Sequence, residues 1–215
     1  MESVRFVVTV RNLSSLTLGG SAVVSHVDVP MNQLGFPPSS LKGVMRTAAT
    51  VAVREGLARG FTACGEVEPT YLGIAHSDGP CDVCRLFGYP GSMGSKVVVR
   101  LTRGEAPTFT LTRVSIDDGS GTAEEGKLFT QEVYSPGTQF TFEVDLLSQD
   151  ARLRKLLLYS MAVLRTWRVG RNSLVDLRLE GVVNGGNLVP LCQAVKCDGE
   201  ETELQEALKE WMWEV

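Results

Sequence analysis

The chain has 215 residues, 43% of them hydrophobic and 21% charged, a composition that indicates one globular domain and excludes large-scale disorder. No apolar run reaches the ~18 residues needed to cross a bilayer, and the N-terminus enters a strand pattern without a signal peptide, so we expect a cytoplasmic protein with no membrane partner. The formal net charge is −4, but residues 198–215 hold seven acids and one base, which leaves 20 basic and 18 acidic side chains in the remaining body.

The first third of the chain predicts a strand, a long loop and a helix. Residues 4–11 mix alternation with β-branched side chains, which is typical of a central strand. Residues 12–38 contain glycines and prolines with little periodicity, and loops of this length in a compact domain are usually functional. A helix follows, with Ser39 or Ser40 as its expected cap and Gly60 as its stop.

Residues 61–95 lack a long hydrophobic stripe, so we interpret them as an insertion that needs a stabilising cross-link of its own. The five cysteines of the chain are poor disulfide candidates in a reducing compartment, which makes them thiols or metal ligands. Cys81 and Cys84 have CxxC spacing, and with His76 and Cys64 they form a candidate tetrahedral zinc site. Its role would be structural, because four protein ligands leave no position open for water. The alternative is a set of reduced thiols near the surface.

The rest of the chain alternates strands with two further helices. We predict strands near 96–103, 108–116, 127–134 and 138–146, a helix over 152–167, strands near 174–183 and 187–196, and a final helix over 201–213. Asn184-Gly185-Gly186 is a strong hairpin turn between the last two strands, and Cys192 and Cys197 fall on the second of these strands and its turn. This order predicts a single α+β domain over residues 1–215 with a ferredoxin-like (RRM-like) βαββαβ core.

The opening of the first helix is a candidate phosphate site. A proline-stiffened loop leads into it, and Ser39, Ser40, Lys42 and Arg46 all lie within its first turns, where free N–H groups and the helix dipole favour an anion. The spacing does not match GxxxxGK[ST], which excludes a P-loop nucleotide triphosphatase. The alternative is an ordinary helix start with solvated charges.

Several segments resemble one known family. The segment GFPPSSLKGVMRTAA is similar to the signature PGSSLKGxxR of the RAMP superfamily, specifically the Csm/Cmr-type backbone subunit of type III CRISPR effector complexes. CDVCRLFG resembles the LFG segment of that family, and TRVSIDDGSGTAEEGKLFTQEVYSPGTQFTFEV resembles its RVxIDxxTGxAxxGxLFxxEVxxxGTxF stretch. Together with LTLGGS, the resemblance covers roughly residues 13–145.

The resemblance implies a ferredoxin-like core, copies of the subunit stacked in a filament with other type III effector subunits, and a guide RNA that runs along them and pairs with a target RNA. Lys42 and Arg46 would contact guide phosphates, with Ser39 and Ser40 beside them. A hairpin at about 113–133, which includes Arg113, would be a thumb that pushes between bases. Where the family has a glycine-rich loop, this chain keeps one glycine and two arginines, Arg168 and Arg171, for phosphate contacts.

The family also places an aspartate before its SSLKG helix, where it promotes metal-dependent cleavage of the paired target. Asp28 is the matching residue, and it could hold Mg²⁺ or Mn²⁺ or orient the attacking 2′-hydroxyl; His26 could assist. Two alternatives stay open. The subunit could be a non-cleaving RNA-binding scaffold, with Asp28 as a turn residue, or an endoribonuclease that trims the guide precursor with His26 as general base.

Overall fold

The computed structural model describes residues 3–20, 27–104, 106–171 and 173–214. Within these ranges it contains eight strands and six helices: β1 (Val4–Asn12), α1 (Pro38–Arg54), α2 (Pro69–Ala75), α3 (Asp82–Phe87), β2 (Val97–Arg103), β3 (Thr108–Ile116), β4 (Ala123–Tyr134), β5 (Gln139–Leu146), α4 (Ala151–Leu164), β6 (Arg168–Val169), β7 (Ser173–Asn184), β8 (Asn187–Val189), α5 (Leu191–Ala194) and α6 (Gly199–Leu208). None of these helices combines the length and the apolar character needed to span a membrane.

The main sheet has the ferredoxin-like strand order, which confirms the predicted fold class. Its strands run β2-β5-β1-β7-β6, and β8 pairs with β7. The four long strands are antiparallel to their neighbours. Helix α1 connects β1 to β2 and helix α4 connects β5 to β7, so the core follows the βαββαβ order with its first strand at the centre. Strands β3 and β4 form a separate two-stranded sheet that projects from the connection between β2 and β5.

Helices α1 and α4 cover one face of this sheet. Alternate side chains of β1, at Phe6, Val8 and Val10, are fully buried beneath them. Helix α1 contributes a stripe at three- and four-residue spacing and α4 a broader one, as amphipathic core helices do. The buried members of the two stripes are Leu41, Met45, Ala48, Ala49 and Ala52 of α1, and Leu153, Leu156, Leu157, Met161 and Leu164 of α4.

The opposite face of the sheet carries charge. The guanidinium of Arg5 lies 2.8 Å from the Asp145 carboxylate and 3.6 Å from that of Glu143. Arg100 reaches the same two acids, at 2.5 Å and 3.2 Å. RRM-type sheets stack bases on exposed aromatic rings, whereas ion pairs occupy these positions here. Ion pairs rather than aromatic rings thus line the part of this face formed by β1, β2 and β5.

The C-terminal segment packs on α4 through buried ion pairs. Arg154 donates to both carboxylate oxygens of Glu201, at 2.8 and 2.9 Å. Arg165 donates to Asp176 at 2.9 Å, and Asp176 also accepts the backbone N–H of Trp213 at 3.0 Å. Glu201, one of the seven acids of this segment, is thus neutralised by α4.

Several predicted boundaries are wrong at the ends of elements. Helix α1 is capped by the backbone of Pro37 with no side-chain cap, so neither Ser39 nor Ser40 caps it, and it ends at Arg54 rather than near Gly60. The predicted strand over 187–196 ends at Val189, and the short helix α5 follows it. The final helix begins at Gly199 and ends at Leu208.

The expectation that the chain forms no disulfide is also wrong. Cys192 and Cys197 are joined by a disulfide across α5 and the loop that leads into α6. The helical turn at Leu191–Ala194 folds the chain back, and it brings the two Cα atoms to 5.3 Å. An extended strand would have kept them apart.

Candidate nucleic-acid interface and metal centre

Asp28 lies on a loop that is fastened to the base of the β3–β4 hairpin. Its carboxylate is exposed, and one oxygen, Oδ2, accepts hydrogen bonds from the backbone N–H of Thr130 at 2.7 Å and from its hydroxyl at 2.9 Å. These two bonds lower the pKa of Asp28 below its usual value. The carboxylate is therefore ionised near neutral pH, with its position fixed by strand β4.

A second loop, at residues 168–171, packs on Thr17 and Leu18, which precede the glycine pair Gly19-Gly20. Arg171 donates its backbone N–H to the Thr17 carbonyl at 3.1 Å. A Cβ added at Gly170 would lie 2.2 Å from that same oxygen, and its φ of +58° favours glycine independently. Arg168 and Arg171 are exposed, and neither side chain has an ion-pair partner in the described part of the chain.

The segment around Thr17 in turn holds the loop of Asp28. Asn32 donates its N–H to the Leu18 carbonyl at 2.7 Å, and Gly20 donates to the Pro30 carbonyl at 3.1 Å. The Thr17 hydroxyl, which is buried, donates to the Glu132 carbonyl at 2.6 Å and accepts from the Gln131 amide at 2.5 Å. Asp28, the arginine loop and the root of the hairpin thus form one connected surface.

The predicted phosphate ligands at the start of α1 differ in exposure and in the partners of their side chains. Ser39 is exposed and Ser40 is partly buried. Lys42 is also partly buried and has no hydrogen bond or ion pair with any described residue; burial and the nearby charge of Arg46 lower its pKa. Arg46 is directed elsewhere, because its guanidinium donates to the Gly88 carbonyl at 2.8 Å and to the Cys84 sulfur at 3.1 Å.

The β3–β4 hairpin spans Thr108–Tyr134 and includes the predicted thumb segment. Arg113 lies on it, exposed and opposite Phe129. Four large apolar side chains on the same hairpin are also exposed, namely Phe109 at 38%, Val114 at 44%, Ile116 at 58% and Leu128 at 67%. The hairpin therefore presents both a cation and apolar groups that no described part of the chain covers.

The four predicted metal ligands come together. The ligand atoms of Cys64, His76, Cys81 and Cys84 all lie within 4.8 Å of one another, and the sulfurs of Cys64 and Cys84 are 3.7 Å apart. Tetrahedral zinc with Zn–S bonds of about 2.3 Å places its sulfurs about 3.8 Å from each other. His76 is buried, yet neither ring nitrogen has a hydrogen-bond partner among the described residues. A metal ion would satisfy one of them.

Burial and the neighbouring thiols shift the pKa values of Cys64 and Cys84. Burial raises the pKa of Cys84 to about 12, with a further increase from Cys81 and Cys64 that Arg46 partly offsets. Burial also acts to raise the pKa of Cys64, but hydrogen bonds from the Glu66 backbone and the two neighbouring thiols lower it overall. Without a cation Cys84 would therefore retain its proton, and a bound divalent ion would displace it. This Cys₃His cluster can hold a metal such as zinc.

The insertion is better anchored than its sequence predicts. Although residues 61–95 lack a long hydrophobic stripe, α3 joins the main core, because Val83, Leu86 and Phe87 belong to it. Asp82 is a second anchor that sequence reasoning missed. It is buried, accepts from the backbone N–H and hydroxyl of Thr62 at 2.9 and 3.0 Å, and pairs with Arg152 at 2.8 Å.

Thr130 was also missed as a site residue, although it lies within the LFTQEV part of the segment that carries the resemblance. A threonine on a strand gives no sign of its partner until the loop of Asp28 is placed beside it. His26, which was predicted as an assisting group, lies outside the described residues.

Comparison with known proteins places the chain in a family. No curated protein matches it. The sequence model of the RAMP superfamily matches residues 10–174, which include the helix α1 signature, the Cys/His cluster, the hairpin and the arginine loop. Because this match covers well over half of the 215 residues, the chain belongs to the RAMP superfamily.

Proposed function

We propose that this protein is a guide-RNA-binding backbone subunit of a type III CRISPR effector complex, and that it positions the paired target RNA for metal-dependent cleavage at Asp28. Membership in the RAMP superfamily indicates a CRISPR-associated RNA-binding subunit. The finer assignment rests chiefly on one observation. An exposed, ionised aspartate held by Thr130 lies on the same connected surface as the root of a projecting hairpin and two arginines that have no ion-pair partner among the described residues.

In this proposal the guide backbone follows the cations of the surface. Lys42, Arg168 and Arg171 contact phosphates, with the hydroxyls of Ser39 and Ser40 beside them. Arg46 is left out of these contacts, since both ends of its guanidinium already have partners. The β3–β4 hairpin, with Arg113 and its apolar side chains, inserts between bases, as apolar side chains do in other nucleic-acid complexes. Copies of the subunit side by side would repeat this arrangement along the guide.

Asp28 would act on the target strand. Thr130 occupies one carboxylate oxygen, Oδ2, and Oδ1 is the oxygen with which Asp28 would hold Mg²⁺ or Mn²⁺ or orient the attacking 2′-hydroxyl of the target. A carboxylate oxygen suits either hard cation. The Cys₃His cluster would hold a structural zinc, which leaves the cleavage chemistry to the Asp28 loop.

The RNA contact is tested by the salt dependence of single-stranded RNA binding. Each lost phosphate contact reduces the slope of log K against log salt concentration by about 0.7 for a single strand. We expect Lys42→Ala to reduce the slope by about that amount. Lys209→Ala is the matched control, because Lys209 pairs with Glu206 on the C-terminal helix. An unchanged slope for Lys42→Ala removes this residue from the interface.

The cleavage step is tested in the assembled complex with a matched target and Mg²⁺ or Mn²⁺. Regularly spaced products should disappear in Asp28→Asn and Asp28→Ala, while target binding persists. Glu203→Gln, which changes an exposed acid on α6, should leave the products unchanged. If the wild-type complex binds the target but does not cut it, the subunit is the non-cleaving scaffold.

A further inference from the structure

Arg46 connects two parts of the molecule that the sequence treats separately. It lies on α1, one turn after Lys42, and its side chain turns towards α3. One nitrogen of its guanidinium lies 3.1 Å from the sulfur of Cys84, and another lies 2.8 Å from the carbonyl of Gly88. Among the described residues, Arg46 is the one cation that donates to a sulfur of the Cys₃His cluster.

The net charge of a metal-loaded cluster explains why a cation beside Cys84 is favourable. Three thiolates and a neutral imidazole around a divalent cation leave a net charge of −1, and the ligand Cys84 is buried. An uncompensated charge in such a place is costly, and a guanidinium at hydrogen-bond distance compensates it. The bond from nitrogen to sulfur also withdraws electron density from the thiolate, which adjusts its strength as a metal ligand.

The second contact fixes the geometry of α3. Gly88 ends this helix with a φ of +85°, and its own N–H returns to the Cys84 carbonyl at 2.9 Å. The Gly88 carbonyl lies at the C-terminal end of α3, where a cation is favoured. Arg46 thus binds α3 at a metal ligand and at the end of the helix. Because both bonds come from one planar guanidinium, they leave α3 little freedom to rotate relative to Arg46.

We propose that Arg46 is a positioning residue of the metal centre, which tightens metal binding and ties the state of the centre to the orientation of α1. The consequence for RNA rests on the proposed function, because α1 carries Lys42. In this view Arg46 affects RNA binding only through metal occupancy, and it does not neutralise a phosphate itself.

The first arm of the test measures the metal centre alone, in the full chain loaded with Zn²⁺ or Co²⁺. We expect Arg46→Gln to weaken metal affinity by about 10- to 100-fold in competition with a chelator, and Arg46→Lys to fall between it and the wild type, since one ammonium cannot make both bonds. Arg59→Gln is the control, because Arg59 is an exposed arginine beyond the end of α1. Its affinity should equal that of the wild type.

A spectroscopic reading separates this role from a general loss of packing. Loss of the N–H to sulfur bond should move the sulfur-to-cobalt charge-transfer band of Arg46→Gln to lower energy. If Arg46→Gln does not fold, the same two measurements on Arg46→Lys decide the matter. Wild-type affinity together with an unmoved band in the folded variant overturns the proposal.

The second arm measures RNA binding at saturating metal. The salt slope of Arg46→Gln should equal that of the wild type, whereas Lys42→Ala should be shallower. A slope for Arg46→Gln as shallow as that of Lys42→Ala would return Arg46 to the phosphate contacts and overturn the proposal. If the wild-type protein binds no RNA, the proposed function fails while the metal arm still stands or falls by its own result.

Discussion

Two excursions leave the ferredoxin-like core, and they are built in opposite ways. The insertion at residues 61–95 buries the side chains of Asp82, His76 and Cys84, and it places Leu86 and Phe87 in the main core. The β3–β4 hairpin turns its chemistry outwards, with most side chains of β3 exposed. The insertion is stabilised by its own buried groups, whereas the hairpin presents exposed side chains suited to a partner outside the described chain.

The largest expected effect follows removal of the metal ligands. Cys81→Ser with Cys84→Ser should abolish metal binding and release the insertion, because ligation energy in small metal sites is folding energy, on the order of 10 kcal/mol in isolated zinc fingers. Hydrogen exchange should show loss of protection over residues 61–95, while the β3–β4 hairpin keeps its wild-type exchange. Cys192→Ser with Cys197→Ser, which removes the disulfide outside the insertion, controls for the loss of two cysteines elsewhere. Equal loss of protection in the hairpin would contradict the contrast between the two excursions.

A smaller effect is expected from the buried acid of the insertion. Asp82→Asn removes the charge that pairs with Arg152 and should lower the free energy of unfolding by about 1–3 kcal/mol, measured by urea denaturation. Glu203→Gln is a suitable control because Glu203 is exposed. A change within ~0.5 kcal/mol for Asp82→Asn would show that this anchor is dispensable.

The pH dependence of this stability difference provides a second test of the ion pair between Asp82 and Arg152. Burial acts to raise the pKa of Asp82, but hydrogen bonds from Arg152 and Thr62 lower it overall. A carboxyl with a lowered folded pKa stabilises the protein above its unfolded pKa of about 3.9 and loses that contribution as the pH falls through the folded value. The stability difference between wild type and Asp82→Asn should therefore be complete at pH 7 and shrink below about pH 4.

The smallest effect on stability is expected in the hairpin. Ile116→Ser and Leu128→Ser change exposed side chains, so the free energy of unfolding should move by no more than ~0.5 kcal/mol. RNA affinity in the assembled complex should nevertheless fall by about 1 kcal/mol, since contacts with bases are worth that much. Val67→Ser, at an exposed apolar position of the insertion, should change neither quantity. Unchanged RNA affinity in both hairpin variants would remove the partner role of the hairpin.

Local patterns in the sequence were enough to predict the skeleton of this fold. Spacing of three and four residues marked α1, and Asn184-Gly185-Gly186 marked the β7–β8 turn, because both signals lie within a few residues. The Cys/His cluster was also predicted, because a CxxC pair places two thiols on one turn and His76 lies five residues before it, a spacing typical of zinc ligands.

Contacts between distant segments could not be predicted in the same way. The bond from Thr130 to Asp28 joins residues 102 positions apart, and nothing in either segment specifies the other. The buried pair of Arg154 and Glu201 reads in the sequence as two surface charges, because burial depends on how α6 docks on α4. Arg46 was assigned to phosphate for the same reason, since its acceptors lie about 40 residues further along the chain.

The close approach of Gly170 to the Thr17 carbonyl has a mechanical consequence. There is no space for even one methyl group between them, so the backbone of the arginine loop packs directly on the segment around the glycine pair. That segment is bonded to the strand-like piece around Pro30, two residues after Asp28, so we expect a displacement of the arginines to be transmitted to Asp28. Under the proposed function, guide binding at the arginine loop would then fix the position of the Asp28 carboxylate.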